Sequence, residues 1–150
     1  MNRQWVIRIH QPDEWLTANR TPHWAARNRM VQTWRHAAYF AARQTRPRIP
    51  TGLELVRVEV LFRWGKAPVR DLPNITPTIK VCVDGAVGPS RRTKTGSTAL
   101  GYGIVPDDSD NHLVLAAPRA ELVKGLVRGQ VVLTVVDLSP IPVEPPAVAA

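Results

Sequence analysis

The chain alternates most clearly from Leu53 to Trp64. Leu55, Arg57, Glu59, Leu61 and Arg63 fall on one side, and Val56, Val58, Val60, Phe62 and Trp64 on the other. A period of two over that length predicts a long strand with one buried face. Gln130 to Leu138 is strongly β-branched and predicts a second strand, and Trp5–Ile9, stopped at Gln11-Pro12, predicts a short one. His112 to Ala116 is a further short strand candidate. Ala120 to Val127 fits one or two helical turns but has no clear period.

Two stretches carry helical spacing. From His23 to about Arg43, Trp24, Met30 or Val31, Trp34 and Ala38 recur along one stripe, with Thr21 as N-cap and Pro22 in the first turn. Arg20, Arg27, Arg29, Arg35 and Arg43 fall elsewhere around this helix. Such a helix either lies against a phosphate backbone or packs on a core with a solvated cationic face. The tryptophans are expected in the core or at an interface. The second helix runs from about Pro77 to Val87, capped by Asn74 or Thr76, and places Lys80 within reach of Asp84 four residues on. Gly88 to Leu100, rich in Gly, Ser and Thr, is expected to be a flexible cationic loop. Residues 139–150, with four prolines, are expected to form a disordered or extended tail to a single domain of residues 1–138.

Charge adds to this picture. Lys and Arg number 20 against 12 Asp and Glu, giving +8 and a pI near 10.8. Such a field favours nucleic acid or an anionic membrane surface as partner. The single cysteine, Cys82, sits between valines, excludes an internal disulfide and reads as a small buried hydrophobe. No stretch approaches the ~18 apolar residues of a membrane span, and no signal-like run is present at the N-terminus. A cytoplasmic protein is expected.

The candidate chemistry lies between Arg70 and Asp108. Asp71, Asp84, Asp107 and Asp108 flank Lys80 and the basic segment that carries Arg91, Arg92 and Lys94. Mg²⁺ takes oxygen ligands, activates water and stabilises a leaving oxygen at a phosphodiester, and a lysine neutralises developing charge on the phosphoryl group. The same aspartates, Asp107-Asp108-Ser109-Asp110 above all, also suit a plain turn.

These residues resemble the motifs of the RusA family of Holliday-junction resolvases, in the form found in actinobacterial phages. That pattern is approximately Arg-Asp-x-Asp-Asn, then Lys with Asp four residues later, then Gly before an Asp-Asp pair. Arg70, Asp71 and Asn74 match the first element, Lys80 and Asp84 the second, and Gly103 with Asp107-Asp108 the third. Leu16–Arg20, with Asn19, and His23-Trp24-Ala25 resemble the family's N-terminal motif. The resemblance implies an α/β (α+β) fold, a small mixed β-sheet packed with helices, in a homodimer that nicks branched DNA with Mg²⁺ or Mn²⁺. If phage-encoded, it would act in the host cytoplasm. Asp71, Asp107 and Asp108 would then hold metal, and Asp71, Lys80 and Asp108 would be catalytic. Asn19, Arg20, Arg27, Arg70, Asn74, Arg91, Arg92 and Lys94 would contact DNA. Two features depart from the pattern: Pro73 replaces one carboxylate, and the Val87–Gly101 segment is longer than usual. The first leaves open a non-cleaving junction binder or a protein-interaction module on the same fold.

Overall fold

The computed structural model describes residues 2–18, 23–65 and 72–140. The fold is mixed α+β. Strands β1 (Gln4–His10), β2 (Val56–Trp64), β5 (Leu113–Leu115), β6 (Arg119–Leu122) and β7 (Gln130–Asp137) form a five-stranded sheet. Helices α1 (Trp24–Gln44) and α2 (Thr76–Ala86) pack on it. Strands β3 (Pro89–Arg92) and β4 (Thr98–Tyr102) make a separate hairpin.

The sheet runs β1-β7-β2-β5, with β6 pairing further along β2. β7 lies antiparallel to both β1 and β2, whereas β5 and β6 run parallel to β2. Register fixes which side chains share a face. Ile7 stands opposite Leu133, which stands opposite Val60; Ile9, Val131 and Phe62 form the next row. All six are buried in one core with Trp34, Ala38, Cys82 and Val83 from the helices. The alternation in β2 is reproduced residue by residue, with Val56, Val58, Val60, Phe62 and Trp64 buried. β7, between two partners, is buried on nearly every residue, as its run of β-branched residues predicts. Trp15 stacks on Trp34 and meets Phe62 and Trp64 edge-on, closing one end of the core.

Several expectations need correction. The N-cap of α1 is His23, whose Nδ1 accepts from the Ala25 N–H at 3.3 Å; Thr21 and Pro22 lie outside the described residues. Trp24 is 75% exposed, so the apolar stripe is carried by Trp34, Ala38 and Ala42 instead. Arg35, expected on the solvated face, is buried. α2 follows a 3-10 turn at Leu72–Ile75 and is capped by neither Asn74 nor Thr76. Ile75 takes the cap position without a side-chain bond, and Pro77 supplies the fixed φ of the first turn. The 88–100 segment is a hairpin, not a flexible loop. Ser90 Oγ bonds both the N–H and the carbonyl of Gly101, and Thr93 closes the turn onto Ser97. Residues 119–122 form a strand because β2 offers its free edge there. The expected tail lies, from residue 141 on, outside the described residues. Cys82 is buried, which pushes its thiol pKa up. No helix among the described residues is long and apolar enough to cross a membrane.

Two contacts generate predictions. A Cβ on Gly85 would sit 2.5 Å from the Arg35 carbonyl oxygen and 3.1 Å from Ala38 Cβ, so the helices touch there backbone to backbone. Gly85→Ala gains about 1 kcal/mol of helix propensity, yet the obstructing atom is main chain and cannot rotate away. A net loss of about 1–3 kcal/mol is expected, read as a lower Tm at roughly 2–4 °C per kcal/mol. At the end of β7, Asp137 accepts from Ser139 N–H and from Arg3, each at 2.9 Å. Burial raises its pKa, but the Ser139 and Arg3 bonds outweigh this and leave it below the ordinary 3.8. A depressed carboxylate stabilises above its unfolded pKa and loses that contribution as pH falls through the folded one. Asp137→Asn is therefore expected to cost about 1 kcal/mol near pH 7, with wild type and variant converging in urea titrations taken below about pH 4.

Candidate functional site

The site is assembled where α2 ends and the hairpin begins. Gly103 has a φ of +83°, a conformation glycine adopts without strain. There the chain turns off β4, and backbone bonds hold the next residues on both sides. Gly103 N–H donates to the Gly88 carbonyl, Val105 N–H to Val87, and Leu53 N–H to Ile104. Ile104 and Val105 are fully buried, so Asp107 and Asp108 emerge from a fixed base at the surface.

Asp108 meets Asp84 across a cleft of about 160 Å³, also lined by Arg35, Gly88, Pro89, Arg91 and Asp107. Both carboxylates also line a larger groove of about 600 Å³ that runs past Lys80 and Ile79 to Val114 and Leu115 on β5. The three aspartates differ in availability. Asp84 is 8% exposed, and its Oδ2 lies 3.6 Å from Lys80 Nζ and 3.7 Å from an Arg91 guanidinium nitrogen. Asp107 is engaged in its own turn. Hydrogen bonds from Ser109 hold its carboxyl below the ordinary value, with a smaller effect from His112, whose Nε2 is 3.6 Å away. Asp108 is exposed and makes no ion pair or side-chain hydrogen bond among the described residues.

The sequence motifs converge in part. Lys80 and Asp84 pair on one helical face as their spacing predicts, and Asp108 joins Asp84 in the cleft. Ala18 N–H donates to the Asn74 carbonyl and Thr78 Oγ1 to the Leu16 carbonyl, both at 2.8 Å, so the chain just before Asn19 is tied to the start of α2. Arg91 overhangs the cleft, while Arg92 and Lys94 are exposed on the hairpin beyond it. Arg27 is half-buried near the start of α1 and does not line the cleft. Asn19, Arg20, Arg70 and Asp71 lie outside the described residues.

Of the expected metal set of Asp71, Asp107 and Asp108, Asp71 lies outside the described residues, and among the described residues no group of three His, Cys, Asp or Glu could hold a metal ion. One Asp107 oxygen accepts from Ser109 N–H, and the side chain is more than half exposed. Two carboxylates facing one cleft nevertheless suit Mg²⁺, which commonly rests on one or two carboxylates, waters and substrate phosphate.

Arg35 was missed as a site residue. Positions 31, 34, 35, 38 and 42 form one helical stripe, so an arginine at 35 interrupts an otherwise apolar face. That interruption was the available signal. Burial lowers its pKa, as does Arg91, against the opposing pull of Asp84 and Asp108. A guanidinium stays protonated at neutral pH.

No protein-family model, curated protein or solved structure matches the chain. The likeness to RusA resolvases therefore rests on the motif elements alone.

Asp84 is the counter-charge for the cations around it, and its removal leaves Arg35, Lys80 and Arg91 facing one another. Asp84→Asn removes its pairs with Lys80 and Arg91, worth up to about 1 kcal/mol each, and is expected to cost about 1–2 kcal/mol in urea unfolding. Lys80→Gln and Arg91→Gln should each stay within about 1 kcal/mol, because those side chains are 69% and 58% exposed and well screened.

Proposed function

We propose that this protein is a Mg²⁺-dependent, structure-specific endonuclease that acts on branched DNA, such as four-way junctions, in recombination and repair. The observation that carries the reading is the meeting of Asp108 and the Lys80–Asp84 pair along one groove, with both aspartates also lining the cleft beneath Arg91 of the cationic hairpin. The +8 net charge supports a polyanionic substrate. Asp108, with Asp71, would hold the ion; Lys80 would neutralise charge at the scissile phosphate, oriented by Asp84. The bound cation would supply an activated water and stabilise the leaving oxygen. Arg91, Arg92, Lys94, Arg20 and Arg27 would hold the DNA backbone, and Asn19, Arg70 and Asn74 would also contact DNA. A two-fold homodimer belongs to this reading, since each subunit would then cut one of two equivalent strands.

A second reading is a junction-binding protein that does not cleave. Pro73 offers no carboxylate where the RusA pattern has one, and Asp107 has one oxygen engaged by Ser109 N–H.

A synthetic four-way junction incubated with excess protein separates the two. Paired symmetric nicks in Mg²⁺ or Mn²⁺ are expected. Asp108→Asn should reduce them at least about a hundredfold, because losing a direct ligand exceeds the 10–100-fold cost of losing an outer partner. Salt-sensitive binding with no nicks would establish the second reading, and Pro73→Asp would then be expected to create cleavage.

A further inference from the structure

We propose that Arg35 forms a built subsite for a phosphate group, with its guanidinium as a buried wall and Arg91 as an exposed flap. The inference deepens the nucleic-acid reading and rests on it for the source of the phosphate. Its physical basis is independent of cleavage.

Arg35 is 6% exposed. Its Nε–H donates to the Leu100 carbonyl at 2.6 Å, which fixes the plane of the guanidinium against the hairpin. The Nη nitrogens make no hydrogen bond among the described residues, and the side chain lines the 160 Å³ cleft. Asp84 and Asp108 stand in the same cleft, yet neither approaches Arg35 within the 4.0 Å of an ion pair. The Nη nitrogens are not sealed from solvent, so their unused donors open onto the cleft while most of the side chain is enclosed. The arrangement leaves a charged, pre-oriented fork facing an open gap.

The fork suits phosphate. Guanidinium donors match two oxygens of one phosphoryl group, and a fixed guanidinium loses little freedom on binding. Arg91 approaches the same gap from the hairpin, where its present partner is Asp84 at 3.7 Å. A pair of that length whose arginine is 58% exposed holds Arg91 only weakly, so Arg91 can exchange Asp84 for an incoming anion. Any anion must compete with the aspartates of the cleft, so a small carboxylate with no further contacts is the weaker candidate. A phosphate in a polynucleotide brings further contacts to Arg92 and Lys94 beyond the cleft.

The test uses the full chain without divalent metal. A labelled four-way junction is titrated by fluorescence anisotropy at several salt concentrations. Arg35→Gln is expected to weaken binding about tenfold or more and to lower the slope of log K against log salt by about one. Arg35→Lys should restore the slope but not the affinity, because it supplies charge without the fork. Arg128→Gln, on the turn before β7, removes one charge elsewhere and should change affinity little. In the wild-type chain, the Arg35 Nε–H resonance should shift when DNA or inorganic pyrophosphate is added; this readout stands even if Arg35→Gln fails to fold. Unchanged slope and affinity in a folded Arg35→Gln, or an unmoved Arg35 resonance at saturating DNA, would overturn the subsite. A resonance that moves with pyrophosphate while the wild type binds no DNA would keep the subsite and remove the nucleic-acid reading. No response to either ligand removes both.

Discussion

The backbone contact between Gly85 and the Arg35 carbonyl sets the position of nearly everything in the candidate site. Because residue 85 has no Cβ, α1 and α2 cross without side chains between them. Two neighbours are fixed by that crossing. Asp84, one residue before the glycine, is carried under the hairpin. Arg35 is rooted at the point of closest approach, and its side chain reaches Leu100 on β4. A wider crossing would draw Arg35 away from Leu100 and from the cleft it shares with Asp84. Packing and electrostatics are thus one constraint here, because a steric property of one residue determines where four charges meet.

The parts legible in the sequence are those with a strong period. β2 and β7 follow from alternation and β-branching, and α2 follows from Pro77 and the spacing of Lys80 and Asp84. The hairpin was not legible. Its residues, Gly, Ser, Thr and Arg, carry no apolar alternation because β3 is almost wholly exposed. Its order comes from bonds made across the chain: Ser90 to Gly101, Arg35 to Leu100, Gly103 to Gly88. β6 was hidden for a similar reason, since a strand of Arg, Ala, Glu and Leu is specified by the free edge of β2 and not by its own composition. In the site, local pairs were readable at four-residue spacing. The distinct states of Asp84, Asp107 and Asp108 were not, because each depends on partners supplied by tertiary structure or by its own turn.

Those states narrow how the cleft could act. Of the three aspartates, Asp107 has its two oxygens directed to Ser109 and His112, and Asp84 has one oxygen shared by two cations. Asp108 alone among these three is uncommitted within the described residues. Under the resolvase reading, Pro73 removes a further carboxylate, and in this fold it serves a different end. It lies in the 3-10 turn that presents the Asn74 carbonyl to Ala18, where a fixed φ suits the tight turn.

A cation in this cleft would therefore lean heavily on the substrate. With few carboxylates available among the described residues, phosphate oxygens would supply further negative ligands, which is the way Mg²⁺ is commonly held. Phosphate would have to be positioned before the cation could bind well. A buried guanidinium held by a backbone carbonyl is suited to that order of events, because its orientation is set in the free protein and costs little entropy on binding. Poor carboxylate provision and a rigid arginine are then linked features. The same cleft without a polyanion would hold a divalent ion weakly, so any metal-dependent step would be confined to the complex with nucleic acid.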